Sequence, residues 1–196
     1  MQVPSQAVAK TFDNIPDETL AQQAARGDRE AATEIIKRIE RPVFSLCLNL
    51  VGPHEARDLA QDALVRVLTK LDSFSGRSKF RTWVYRVTTN ECLSHLRRRS
   101  RSPVQYGLET DPRPQIGEPN PDSGIQMDES LSRVRGALMN LPDDQRAILV
   151  LRDVRGLEYE QLSEVLEIPI GTVRSRLFRA RKALVKLLEQ HPPEAD

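Results

Sequence analysis

The sequence predicts an all-α protein made of two small helical domains, one with a helix-turn-helix, joined by a flexible linker. Three observations lead to this fold class. Apolar residues recur at helical spacing across residues 15–101 and again across 128–190. Between them, the segment 102–127 holds five of the thirteen prolines of the chain and keeps no regular apolar period. No convincing alternation of apolar and polar residues indicates a β-strand.

The first domain is predicted to begin with two capped helices. Asp17 can cap a helix that ends near Gly27, and Asp28 can cap the next helix. Pro42 is expected to break or kink this second helix, because proline lacks an amide hydrogen and clashes with the preceding turn. A continuation of the helix carries apolar residues as far as Gly52.

Further helices complete both domains. Pro53 suits the first turn of a third helix, and the loop 73–78 leads into a long fourth helix over about 79–99. After the linker, which carries one arginine against four acids, four more helices are predicted, roughly over 128–140, 143–154, 158–166 and 169–190. Residues 1–14 and 191–196 are predicted to be a disordered N-terminal lead and a C-terminal tail.

Composition and motifs argue against several classes of protein. The net charge of +1 gives no bulk argument for nucleic-acid binding. Cys47 and Cys92 form no CxxC pair or zinc-like spacing with histidine, and their apolar helical surroundings predict buried thiols. No paired carboxylates, nucleophile–histidine arrangement or glycine-rich phosphate loop indicates an enzyme, so no catalytic residue, metal, cofactor or small-molecule substrate is expected. The N-terminus lacks a signal pattern, and no apolar stretch approaches the roughly 20 residues that span a bilayer. We therefore expect a cytoplasmic protein without membrane insertion.

The stretch GTVRSRLFRARKAL, residues 171–184, is the first candidate binding surface. It contains five cations and no acid. On a helical wheel Val173, Leu177 and Ala180 lie on one face, and Arg179 lies on the opposite, cationic side. Such a helix suits DNA, a membrane surface, an acidic partner or plain solvation. Because the apolar face is needed to hold a small domain together, a membrane surface is disfavoured.

The residues before this stretch favour DNA among those alternatives. The segment LEYEQLSEVLEIPIGTVRSR predicts a helix, a tight turn filled by Ile168, and a second helix opened by Pro169. Gly171 is expected to let the first turn of the second helix approach a neighbour closely. In a helix-turn-helix the second helix enters the major groove, where arginine reads guanine edges and phosphates.

Residues 73–101 form a second basic surface. Eight cations face a single acid, Glu91, and aromatic residues lie among the cations. Cations interleaved with exposed aromatics suit single-stranded nucleic acid, because the bases stack on the rings. The alternative is that the aromatics at helical spacing are core, which we accept for Phe80 and for most of Trp83. That alternative explains neither the cations nor the polar pair Thr89–Asn90.

Together these segments resemble an extracytoplasmic-function sigma factor, the minimal two-domain class of the sigma-70 family of bacterial RNA polymerase. In the first domain the resemblance rests on ARDLAQDALVRVLTKLDSF and FRTWVYRVTTNECLSHLRRR. In the second it rests on LPDDQRAILVLRDVRGLEYEQLSEVLEIPIGTVRSRLFRARKAL. It covers about residues 17–101 and 128–188. The resemblance implies two partners, core RNA polymerase and promoter DNA, and makes an anti-sigma factor a further expected partner.

The resemblance also implies roles for individual residues. The first domain is similar to sigma domain 2, which docks on the polymerase clamp and melts the −10 element. The clamp-docking residues would be Asp58, Gln61 and Asp62. The residues on the single-stranded −10 DNA would be Phe74, Arg77, Lys79, Arg81, Trp83, Arg86, Asn90 and Arg97, with Phe74 and Asn90 lining a pocket for a flipped base.

The second domain is similar to sigma domain 4, which reads the −35 duplex. The residues on that duplex would be Thr172, Arg174, Ser175, Arg176, Phe178, Arg179, Arg181 and Lys182. The acidic linker would thread through the polymerase. The rival interpretation is a helix-turn-helix transcriptional regulator that acts without being a polymerase subunit, and it leaves FRTWVYRVTTN unexplained.

Overall fold

The structure is a computed structural model that describes residues 12, 14–101 and 129–190, with side chains described in the second range from residue 131. The predicted lead, linker and tail lie almost wholly outside these residues. All regular structure in the described ranges is helical, which confirms the predicted all-α class. None of the helices described is both long enough and apolar enough to cross a bilayer.

Eight α-helices, one 3₁₀ turn and one π-helical turn build the two domains, counted over the described residues. In the first domain they are α1 (Asp17–Ala25), α2 (Arg29–Val51), α3 (Pro53–Thr69), a 3₁₀ turn (Leu71–Ser73) and α4 (Phe80–Arg101). In the second domain they are α5 (Glu129–Met139), α6 (Asp143–Leu149, continued by a π-helical turn, Val150–Val154), α7 (Tyr159–Leu166) and α8 (Ile170–Gln190).

Of the break or kink expected at Pro42, the break does not occur, because α2 continues on both sides of the proline. Ile39, Val43 and Leu46 lie on one face of α2 and are at most 1 % exposed. Burying each of these side chains stabilises the helix in place by about 1.5–3 kcal/mol. An interior proline costs about 3 kcal/mol, so the burial of this face outweighs the lost hydrogen bond.

The two domains pack against each other and share one hydrophobic core among the described residues. Helix α7 lies along α4, and α5 and α6 contact α2. One hydrogen bond marks the contact, in which the Gln161 side-chain amide donates to the Thr82 hydroxyl over 3.0 Å. Thr82, Tyr85 and Thr89 share that face of α4, and all three are buried.

Arg155 lies near this contact between the domains, close to Tyr85 and Cys47 of the first domain. Its side chain is partly buried, and burial lowers the pKa of the guanidinium despite the nearby Tyr85. Two of its buried nitrogens, Nε and one Nη, have no hydrogen-bond partner among the described residues. Because a buried cation without partners is costly, the shared core is stabilised by apolar packing in spite of Arg155.

The prediction that both cysteines are buried thiols is confirmed. Cys47 on α2 and Cys92 on α4 are free and fully buried. The Cys92 thiol donates to the Cys47 sulfur across a 3.7 Å separation. This hydrogen bond, together with burial, raises the pKa of Cys92, so Cys92 stays a neutral thiol at any physiological pH.

We expect the native protein at pH 8 to react with a thiol reagent at least about tenfold more slowly than the protein unfolded in guanidinium. The thiolate is the reactive species, and the buried, hydrogen-bonded Cys92 does not form it. Counting modified thiols over time measures the effect. Rapid stoichiometric labelling of the folded protein would contradict the burial of this pair.

Candidate nucleic-acid interface

Helices α7 and α8 form the predicted helix-turn-helix. The Glu158 amide donates to the Gln161 side chain over 2.9 Å and so fixes the start of α7. Helix α7 ends at Leu166, and the next residue, Glu167, has a φ of 54°, in the left-handed region. The turn is closed by the Ser163 hydroxyl, which donates to the Ile168 carbonyl over 2.6 Å. The Pro169 carbonyl then accepts from the Val173 amide over 3.0 Å and starts α8.

The predicted division of α8 into an apolar and a cationic side is confirmed. Val173, Leu177 and Ala180 are at most 2 % exposed and pack into the core. Most of the residues expected on DNA lie in solvent, whereas Thr172 and Arg176 are half-buried. The exposed ones are Arg174, Ser175, Phe178, Arg179, Arg181 and Lys182.

Two of the cations on α8 are already paired within the domain. The Arg181 guanidinium donates twice to Asp153, over 2.6 and 3.3 Å, and these bonds raise the pKa of Arg181. Arg176 lies 3.5 Å from Asp144. Both pairs are at least partly exposed, so their net contribution to stability is small. They orient the two arginines along the flanks of the helix.

The remaining cations on α8 point to solvent. No ion pair joins Arg174, Arg179 or Lys182 to an acid within the part of the chain that the structure describes. Arg179 donates a hydrogen bond from Nε to the Ser175 carbonyl of its own helix over 3.3 Å. These three side chains can therefore bind an external anion or base edge without breaking an ion pair.

Phe178 supplies an apolar contact among these cations. Its side chain is 72 % exposed, the largest exposure among the large apolar residues described. It borders a shallow groove of about 500 Å³ beside Arg174 and Tyr159. An exposed aromatic ring among arginines fits a DNA groove, where thymine methyl groups offer an apolar partner.

The close approach of a neighbour expected at Gly171 is wrong, because a Cβ there would meet no atom within 4 Å.

The second basic surface lies on α4 and on the loop before it. Phe74 packs against Phe80 and Trp83, with ring centroids 5.3 and 5.6 Å apart, and Phe80 stacks on Trp83 at 5.8 Å. Phe80 and Trp83 are 0 % and 3 % exposed, which confirms that both belong to the core. Phe74 is half-buried. We call these three rings the aromatic cluster, in which Phe74 of the loop packs on Phe80 and Trp83 of α4.

Polar and cationic side chains continue along α4 beyond the aromatic cluster. Arg86, Asn90 and Arg97 recur at helical spacing on α4, on a different face from the one that contacts the second domain. Asn90 and Arg97 are exposed and Arg86 is half-buried, as the sequence pattern expects of a binding face. The remaining cations expected on the −10 strand, Arg77, Lys79 and Arg81, are all exposed around the loop.

A third exposed surface lies on α3. Asp58, Gln61 and Asp62 face solvent, on the opposite side from the buried Leu59 and Ala63. The stripe continues toward the C-terminus of α3 through two exposed apolar residues, Val65 and Leu68. Acids beside exposed apolar side chains suit a protein partner that offers basic and apolar residues.

The sequence did not predict several acids that contact the residues of these surfaces, because they lie far away along the chain. Asp153 pairs with Arg181 across 28 positions, and Asp17 lies 3.7 Å from Arg81, across 64. Glu18 binds the first turn of α4. Spacing alone gave no signal for these pairs, because each of them joins two separate helices.

Comparison with known proteins matches both domains. Residues 35–102 match the family Sigma-70 region 2, and residues 131–184 match Sigma-70, region 4. The RNA polymerase sigma-H factor of Pseudomonas aeruginosa is 33 % identical over 181 residues, which cover 88 % of this chain and 94 % of that protein. The ECF RNA polymerase sigma-E factor of Escherichia coli is 30 % identical over 179 residues, with 88 % and 94 % covered.

A solved structure agrees with these relatives. The sigma factor RpoE of Bartonella quintana, in complex with the anti-sigma factor NepR, superposes with a TM-score of 0.66 at 28 % identity. The match covers 82 % of this chain and 98 % of that one. A region 2 bundle followed by a region 4 helix-turn-helix defines a promoter-reading subunit of bacterial RNA polymerase. The chain belongs to the extracytoplasmic-function group of the sigma-70 family, and it directs promoter-specific transcription initiation.

Proposed function

We propose that residues 15–101 and 128–190 act as two functional domains that read the two elements of one promoter. The observation that carries this division is the presence of two separate exposed basic surfaces in one chain. One is the outer side of α8, and the other comprises the loop before α4 and the exposed face of that helix. A duplex reader needs the first, and a single-strand reader needs the second.

The −35 duplex is assigned to α8. Arg174, Arg179 and Lys182 lack an ion-pair partner among the described residues and lie beside the exposed Ser175 and Phe178. Arginine that points from a helix into the major groove reads guanine O6 and N7, and lysine neutralises phosphate. Thr172, Arg176 and Arg181 lie at the borders of this face, where contacts to the DNA backbone fix its register.

The −10 strand is assigned to the loop before α4 and to the exposed face of that helix. Phe74 lies over the buried Phe80 and Trp83, so its ring has firm support. Asn90 offers an amide that can donate to and accept from a base edge. Extruding a base from the duplex costs a few kcal/mol, which such stacking and edge hydrogen bonds repay. Trp83 is buried and supports the Phe74 ring by direct contact.

The remaining partners bind elsewhere on the chain. We assign the polymerase clamp to Asp58, Gln61 and Asp62 of α3, which are exposed together. The complex of the Bartonella relative with an anti-sigma factor supports a similar partner for this chain. RNA synthesis itself belongs to the polymerase, and this chain acts on DNA in the bacterial cytoplasm without chemistry of its own.

Reconstitution with core RNA polymerase tests this function. The holoenzyme is expected to start transcripts at defined promoters, found by mapping transcript starts after overexpression of the protein. Core polymerase alone is the control. Tight binding of the free protein to duplex operator, without any transcription when polymerase is added, would instead establish the regulator alternative.

Asn90→Ala is expected to slow opening of the −10 element about fivefold while leaving the first binding to duplex promoter unchanged. The loss of one hydrogen bond to a base edge costs about 1 kcal/mol. Permanganate reactivity of unpaired thymines measures opening over time. Asn140→Ala removes another exposed asparagine outside all three surfaces and serves as the control. Equal opening rates for the two variants would refute the assigned pocket.

A further inference from the structure

The N-terminus of α4 is capped from another helix. The Trp83 amide donates to the Lys79 carbonyl over 3.2 Å, which places Lys79 at the N-cap position of α4. A lysine side chain has no acceptor atom and cannot satisfy the free amides of the first turn. The Glu18 carboxylate of α1 fills this role and accepts a hydrogen bond from the Phe80 amide over 3.1 Å. A negative charge here also complements the helix dipole.

Helix α1 is firmly attached to α2 by Arg38. The Arg38 guanidinium donates to Asp17 over 3.0 Å and to Glu34 over 2.9 Å. It also donates to the carbonyl groups of Ile15 over 2.7 Å and Phe12 over 2.5 Å. The bonds to the two carboxylates raise the pKa of Arg38. Because Arg38 fixes the start of α1 on α2, the carboxylate of the next residue, Glu18, is held in position to reach α4.

Helix α1 borders the loop 73–79 along its length. It packs against the 3₁₀ turn where the loop begins. At Gly76 a side chain would lie 3.9 Å from the Gln22 amide nitrogen. At the end of the loop, the capped amide belongs to Phe80, on which the ring of Phe74 packs. Helix α1 therefore contacts the start and the end of the loop, and Gln22 lies near its middle.

We propose that Glu18 is a positioning residue for promoter opening, because its cap on Phe80 fixes the loop that captures the unpaired −10 base. This inference rests on the proposed function of that loop. A loop already in its binding shape has less conformational entropy to lose when the base arrives, and binding is correspondingly stronger. Glu18 does not contact the base and acts only through the Phe80 amide and the aromatic cluster.

The free protein gives the first test, because Trp83 is the only tryptophan in the sequence. Its fluorescence therefore reports on the aromatic cluster directly, without DNA or polymerase. Glu18→Ala is expected to increase quenching of Trp83 by acrylamide, and Glu18→Gln, which keeps an acceptor, is expected to match the parent protein. Glu18→Asp, which shortens the side chain by one methylene, should resemble the alanine variant. Unchanged quenching in both the alanine and aspartate variants would overturn the proposal.

Promoter opening by the reconstituted holoenzyme gives the second test. Glu18→Ala is expected to slow −10 opening about fivefold, the factor that corresponds to the loss of one N-cap hydrogen bond. Glu18→Gln is expected to restore most of the rate, and affinity for core polymerase should not change in either variant. Thr19→Ala alters the adjacent exposed side chain of α1 and is the matched control.

The outcomes separate this inference from the function on which it rests. A normal opening rate in Glu18→Ala, with slow opening in Asn90→Ala, would overturn the role of Glu18 alone. Equal defects in Glu18→Ala and Glu18→Gln would overturn the role of the acceptor atom. Parallel losses of polymerase affinity and opening would show a merely structural role and would also overturn it. Normal opening in Asn90→Ala would instead remove the proposed −10 pocket.

Discussion

Replacing both Arg174 and Arg179 with alanine is expected to weaken holoenzyme binding to the −35 duplex by about 2–6 kcal/mol. Each arginine that reads a base edge contributes about 1–3 kcal/mol of discrimination. Both side chains are exposed on the outer side of α8 and have no ion pair to break among the described residues. The loss should therefore appear in full rather than be offset by the release of an acid.

Binding of the two-arginine variant is measured by titrating holoenzyme against a labelled duplex at one fixed salt concentration, because phosphate contacts depend strongly on salt. Lys186→Ala is the matched control, since Lys186 is an exposed cation on the same helix but outside the assigned residues. Its removal is expected to change affinity little. If the two-arginine variant bound the −35 duplex as tightly as the parent protein, the assignment of Arg174 and Arg179 to base edges would be wrong.

The second domain was the easier one to predict, because its signals are local. Pro169 and the turn before it lie within a few residues of the helix they start, and the wheel fixes which side of α8 is buried. The pairing of Arg181 with Asp153 and of Arg176 with Asp144 was not predictable. These acids belong to earlier elements, and only the packing of α6 on α8 brings them close.

The first domain shows a different limit of sequence reasoning. An aromatic residue at helical spacing among cations is compatible with a core position and with a stacking platform for bases. Burial decides between them, and it places Phe80 and Trp83 in the core while Phe74 stays half-exposed above them. Proline disfavours the interior of a helix, but α2 continues through Pro42 because the packing of its buried face outweighs that cost.

Contact between the two domains could not be predicted at all. Thr82 and Gln161 are 79 positions apart and lie on opposite sides of a linker without pattern. Both are ordinary polar residues of amphipathic helices, and neither shows in sequence that it has a partner. This contact covers one face of α4 and leaves exposed the neighbouring face, which carries Asn90 and Arg97. The surface proposed to bind the −10 strand is therefore accessible even while the domains are packed together.

Phe80→Ala is expected to lower the free energy of unfolding by about 3–5 kcal/mol, as large-to-small substitution of a fully buried aromatic residue does. Phe80 is 0 % exposed, and its ring contacts both Phe74 and Trp83. Phe178→Ala is the matched control, because that ring is 72 % exposed and its loss should change stability by no more than about 0.5 kcal/mol. Urea denaturation measures both changes in the free energy of unfolding, provided that its dependence on urea concentration, the m-value, is the same in each protein.

The same pair of variants separates folding from DNA reading. Phe178→Ala is expected to weaken −35 binding at normal stability, whereas Phe80→Ala should lose stability and −10 opening together, because its ring supports Phe74. Phe80→Leu keeps an apolar side chain in the cavity and should recover much of the stability, but it cannot restore the ring contacts with Phe74 and Trp83. Opening by the Phe80→Leu holoenzyme should therefore remain slow at a temperature where the variant is fully folded. If the opening rate of the Phe80→Leu holoenzyme recovered in proportion to its stability, the aromatic cluster would serve only as core. The position of Phe74 would then not depend on the rings of Phe80 and Trp83.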